Sequence, residues 1–140
     1  KKAKRAAEGC RISACTDITG FGLLGHCAEM ASASEVTFEL KVRDIAYFED
    51  AIDYAKMGLV PAGTYKNRGY SGQKVDAGSV EEYYLDLLYD PQTSGGLLFS
   101  VAREDLGTLL QNLEKAGMDT AVSVIGTVEP KSDKLIRLSL

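Results

Sequence analysis

The chain has 140 residues, 45% of them hydrophobic, and sixteen Lys and Arg against twenty Asp and Glu give a net charge of -4. That length and apolar share suit one compact domain with its own core, while the acidic balance excludes the broad basic surface that neutralises nucleic-acid phosphates. No apolar run approaches the ~18 residues of a membrane span, and the three cysteines, Cys10, Cys15 and Cys27, lack the dense, even pattern of a secreted disulfide scaffold, so a reducing, cytoplasmic setting is expected.

Lys1 to Gly9 is a polar helix end stopped by glycine, without the apolar centre of a signal sequence, and it reads as the middle of a longer protein. Arg11 to Thr16 is β-compatible and runs into Asp17-Ile-Thr-Gly-Phe-Gly22, where two glycines permit an unusual backbone path. From Phe21, the residues Leu24, Cys27, Ala28 and Ala31 recur at three-to-four spacing and predict an amphipathic helix that fades at Ser32 to Ser34. Val36 to Val42 alternates with period two, as a strand buried on one face does. Ile45, Phe48, Ile52 and Ala55 give the apolar stripe of a second helix, stopped by Gly58 and Pro61.

The glycine-rich stretch from Pro61 to Gly78, with few aliphatics and with Lys66, Arg68 and Lys74, is expected to be a loop or short-helix region. Glu81 to Tyr89 predicts a helix ending at Asp90-Pro91, because the residue before proline is pushed from helical angles. Gly96 to Val101 is an apolar run suited to a buried strand, and Arg103 to Gly117 predicts a helix through Leu106, Leu109, Leu110 and Leu113. Ala121 to Val128 and Lys134 to Leu138 supply two last strands joined by a turn around Pro130 to Asp133. The order of elements predicts an α+β fold, a mixed sheet covered by helices.

Two segments carry chemistry. In Cys15-Thr-Asp-Ile-Thr-Gly-Phe-Gly22, a carboxylate and two hydroxyls precede glycines that let backbone N–H groups approach an anion; Asp17 is either part of such a site or a plain N-cap for the following helix. Asp90-Pro-Gln-Thr-Ser-Gly-Gly96 packs a carboxylate, an amide, two hydroxyls and a glycine pair, and is either functional or a helix-stopping turn before a strand. Generic phosphate-binding, kinase and dinucleotide fingerprints are absent. His26, the one histidine, reads as a satisfied helix residue, and no Ser-His-Asp arrangement is supported. Without a Cys-x-x-Cys pair a zinc site is not expected, and the cysteines read as small buried hydrophobes.

Thr16-Asp-Ile-Thr-Gly-Phe-Gly-Leu-Leu-Gly-His26, Gly58-Leu-Val-Pro-Ala-Gly-Thr-Tyr-Lys-Asn-Arg68 and Asp90-Pro-Gln-Thr-Ser-Gly-Gly-Leu-Leu98 together resemble the selenophosphate synthetase family. The resemblance spans nearly the whole chain and implies a single C-terminal domain over residues 1–140 of a longer synthetase, with the α/β/α sandwich of PurM-like C-terminal domains. Its superfamily also includes aminoimidazole ribonucleotide synthetase, another branch to which such a domain could belong. It implies further that Asp17 is a Mg2+ ligand; Thr16, Thr19, Gly20 and Gly22 are then expected to shape the turn beside it, and Thr93, Ser94, Gly95 and Gly96 to form a wall near the phosphates or the domain interface. ATP, selenide and water would be the substrates, giving selenophosphate, AMP and orthophosphate. The catalytic Cys or selenocysteine, the lysine, the other magnesium aspartates and the nucleotide segment belong in the family to an N-terminal domain, so no residue here is expected to be catalytic. A homodimer is expected for the full-length protein and a monomer for this piece; an assembly module is the alternative from another class.

Overall fold

The computed structural model describes residues 1–140. Its strands form two sheets. One is an antiparallel ribbon of β1 (Ile12–Asp17) and β4 (Leu97–Val101). The other is mixed, with β2 (Val36–Lys41), β3 (Val75–Asp76), β5 (Gly126–Pro130) and β6 (Ile136–Ser139) in the order β3-β6-β2-β5. β2 runs antiparallel to β5 and parallel to β6, and β6 runs parallel to β3. With its helices this is the expected α+β architecture of mixed sheets covered by helices.

The principal core forms where α2 (Gly22–Ala33) lies on β2 and β6. Leu24, Cys27 and Ala31 of α2 are wholly buried and meet Phe38 and Leu40 of β2, Ile136 and Leu138 of β6, and Leu85 and Leu88 of α5 (Glu82–Leu88). The small side chains of α2 allow close approach, and each large aliphatic buried there contributes about 1.5–3 kcal/mol. A second cluster joins Ala3 and Ala6 of α1 (Lys2–Ala6) to Leu109 and Leu113 of α6 (Leu106–Lys115), with Ile12, Phe99 and Val101 packed against it. The ribbon is thus covered at its far end, where Arg11 donates from its backbone N and its Nε to Asp105 Oδ2, both at 2.8 Å.

Several elements depart from expectation. The predicted helix from Ile45 is only α3 (Ala51–Lys56). Ahead of it lie a 3₁₀ turn at Val42–Asp44 and extended backbone at Ile45, while the Tyr47 hydroxyl donates to Val42 O at 3.1 Å. Phe48 is 91% exposed, so its place in the apolar stripe was coincidental. The stretch from Pro61, expected as a loop or short-helix region, is the latter, the ten-residue helix α4 (Ala62–Ser71), stabilised by tertiary contacts described below rather than by an apolar stripe. β4 is half-buried rather than buried, with Leu97 exposed, because a two-stranded ribbon leaves much of each strand uncovered.

The strand expected from Ala121 begins only at Gly126, where a Cβ would collide with the Glu39 backbone. The turn after β5 is present, but β2 lies between β5 and β6. Thr37 Oγ1 ties this turn down, donating to Lys134 O at 2.7 Å and accepting from Ser132 N at 2.9 Å. No helix is long and apolar enough to cross a membrane.

Candidate functional site

β1 sends Ile12, Ala14 and Thr16 inward and Ser13, Cys15 and Asp17 outward. Asp17, opposite Leu97 in the ribbon, therefore holds its carboxylate in solvent at the strand end. No Lys, Arg or His side chain pairs with it. The N-cap alternative is overturned: α2 starts at Gly22, with Phe21 in the cap position and no side-chain cap, so Asp17 lies beyond capping reach.

After Asp17 the chain turns inward at Ile18, which is buried, and the second motif closes on it. Ile18 N donates to Gly96 O at 2.9 Å, Gly95 N to Ile18 O at 3.1 Å, and Gln92 N to Thr19 O at 3.1 Å. The two segments singled out in the sequence are thus stitched together by main-chain hydrogen bonds. A Cβ on Gly95 would meet Ile18 Cγ2 and Ile18 O at 2.8 Å, and one on Gly22, at φ 71°, would stand 2.8 Å from the carbonyl carbon of Tyr89. Gly20 is exposed, with open space about it. Thr16 and Thr19 are half-buried, and Thr93 and Ser94 are exposed in the second loop.

The third string arrives on α4. Asn67 Nδ2 donates to Gly20 O at 2.8 Å and to Tyr89 O at 2.9 Å, bridging the glycine turn and the end of α5. Gly63 lies where a Cβ would fall 2.7 Å from Pro91 Cγ. Sequence reasoning gave neither Asn67 nor Gly63 a role; the only signal was their membership of the string Gly58 to Arg68. Behind this junction Arg68 pairs with Glu82. Burial first, and then the Glu82 charge, push Asp86 above the usual carboxylate range, against the pull of Arg68. Burial alone pushes Asp90 up.

His26 is 8% exposed on α2. Its Nε2 is 3.0 Å from Thr19 Oγ1, Glu29 Oε2 lies 3.3 Å from its Nδ1, and the Phe21 ring meets it edge to face with centroids 5.8 Å apart. It is a hydrogen-bonded helix histidine, as its position predicts. The cysteines divide. Cys27 is buried, its thiol pushed up to about 12 by desolvation. Cys15 is exposed and Cys10 half-buried, which corrects the expectation of buried hydrophobes, since β1 turns its Cys15 face outward. Partial desolvation, and then the Asp17 charge, raise the Cys15 thiol, so it is a poor thiolate.

No three His, Cys, Asp or Glu side chains gather into a metal cage. The junction instead offers the solvent-facing Asp17 carboxylate, the partly buried Asp90 carboxylate, a glycine turn held by two other segments, and exposed hydroxyls. A single hard carboxylate of this kind fits a magnesium ion that takes its remaining ligands from phosphate oxygens, waters and groups outside the chain.

A family model described as AIR synthase related protein, C-terminal domain, matches residues 1–138. Selenide, water dikinase 2 of Peptoclostridium acidaminophilum is 44% identical over 136 residues, which cover 97% of this chain and 39% of that protein. The selenide, water dikinase of Treponema denticola is 41% identical over 141 residues, covering 99% of this chain and 40% of that protein. The one from Clostridioides difficile is 46% identical over 137 residues, covering 97% and 39%. The chain spans about two-fifths of the length of these curated relatives.

Proposed function

Since this chain belongs to the AIR synthase related family, as its C-terminal domain, we propose that it completes the phosphoryl-transfer site of a selenophosphate synthetase, an enzyme that converts selenide, ATP and water into selenophosphate, AMP and orthophosphate. The names of its selenide, water dikinase relatives support the reaction. The observation that carries the residue assignment is Asp17, a solvent-facing carboxylate without an ionic partner and without a capping role, at the point where all three strings meet.

Asp17 would hold Mg2+, which supplies neutralisation of the charge on the transferring phosphoryl group. Thr16, Thr19, Gly20 and Gly22 give the turn its path. Thr93, Ser94, Gly95 and Gly96 form the adjoining wall, facing the phosphates or the N-terminal domain of the same chain. That domain would bring the nucleotide segment, the reactive Cys or selenocysteine and the lysine. The partners are therefore ATP, selenide and the rest of the parent chain, which acts as a homodimer in the cytoplasm. The 140-residue chain alone is expected to show no selenide-dependent ATP turnover.

The test compares Asp17→Asn and Asp17→Ser in the complete parent protein. Asp17 is exposed, so stability is expected to move by no more than about 0.5 kcal/mol. Turnover is expected to fall by roughly two orders of magnitude or more, the scale for losing a preorganised electrostatic contact, with part of it returning in excess magnesium. Near-normal turnover of both variants across a magnesium titration would remove Asp17 from the site.

A further inference from the structure

We propose that His26 is a positioning residue that fixes the Thr19 hydroxyl as a hydrogen-bond acceptor, so that this oxygen serves a metal-bound water or another donor and not a phosphate oxygen. The geometry comes from three contacts. Glu29 Oε2 faces Nδ1 at 3.3 Å, Thr19 Oγ1 faces Nε2 at 3.0 Å, and Phe21 covers the ring edge to face. In a neutral imidazole one ring nitrogen carries the proton and the other accepts, and the partner of each decides which. A carboxylate can only accept, so Glu29 favours the proton on Nδ1. Nε2 is then bare and must accept from Thr19, whose single O–H hydrogen is directed at the ring. What remains on Thr19 Oγ1 is lone pairs.

Thr19 stands two residues after Asp17, in the same glycine turn, with its own carbonyl occupied by Gln92 N and Gly22 N. A hydroxyl restricted in this way repels a phosphate oxygen and receives the hydrogens of a coordinated water. Its consequence for catalysis rests on the magnesium reading of Asp17; its geometry does not.

The chain has one histidine, so a long-range 1H–15N spectrum of the imidazole contains a single residue. In its neutral form the imidazole is expected to show the proton on Nδ1 and a bare Nε2. Glu29→Leu is expected to shift the population towards the Nε2–H form. A wild-type spectrum dominated by Nε2–H, or one indifferent to Glu29→Leu, would overturn the assignment. In the complete parent protein, Thr19→Ser is expected to keep the KM for magnesium-ATP within about twofold and Thr19→Val to raise it about tenfold, since only serine retains the hydroxyl. His26→Gln, whose carbonyl can accept the Thr19 hydrogen, is expected to stay closer to wild type in KM than His26→Leu. If the two His26 variants instead lose stability alike and share one KM, the role is structural and the proposal falls. An Nδ1–H spectrum in a protein indifferent to Asp17 substitution would support the hydroxyl assignment and overturn the proposed function.

Discussion

At Gly22 the backbone sits at φ 71°, and an added Cβ would stand 2.8 Å and 2.9 Å from the carbonyl carbon and oxygen of Tyr89. Left-handed backbone and main-chain contact both oppose an L side chain, so Gly22→Ala is expected to lower stability by about 2 kcal/mol or more. Gly20 has neither constraint, and Gly20→Ala is expected to stay within about 0.5 kcal/mol. Urea denaturation of the two variants checks this, and equal losses would contradict the account of the turn. From the sequence the two glycines were indistinguishable, because the partner that separates them, the end of α5, lies far along the chain. Asp17 was legible as an interesting carboxylate; that it caps nothing became visible only with the start of α2 at Gly22.

Among the elements, α4 owes its place to Asn67, whose amide satisfies two carbonyls of separate segments. Asn67→Ala is expected to cost about 1 kcal/mol or more, chiefly by leaving the carbonyl of the buried Tyr89 unpaired, since the exposed Gly20 carbonyl can turn to water, measurable as a lowered denaturation midpoint. The ribbon depends on Arg11. Hydrogen bonds from the Arg11 side chain and backbone hold Asp105 below the usual carboxylate range. A carboxylate with a depressed folded value stabilises fully above its unfolded value, about 3.9, and loses that contribution as pH falls through the folded value. The gap in melting temperature between wild type and Asp105→Asn should therefore be constant at neutral pH and narrow as the pH falls below the unfolded value; a gap that does not narrow in acid at all would exclude this linkage. α2, α5 and α6 were legible because their apolar spacing repeats over enough turns. α4 was not, since its stability comes from an amide bridge and from Gly63 beneath Pro91, neither of which leaves a periodic trace.

Over the whole molecule, β1 connects the two apolar clusters, with Ile12 packed against the α1 and α6 cluster and Ile18, just past the strand, in the principal core. Heating is expected to give one sigmoidal transition by circular dichroism; two separated transitions would show that the ribbon and the four-stranded sheet unfold independently. The α+β class was legible from the succession of helical and strand-like patterns, but strand order was not, because a parallel neighbour leaves no local mark on either strand. That order has a consequence for synthesis. β6 occupies an inner position of its sheet, hydrogen-bonded to β3 on one side and β2 on the other, yet it is translated after every other strand. Until Ile136–Ser139 emerge from the ribosome, β3 has no partner, the edge of β2 that β6 will occupy is open, and Phe38 and Leu40 lack Ile136 and Leu138. Until β6 emerges, β2 thus presents an open edge beside apolar side chains, a place where chaperones or other nascent chains can bind.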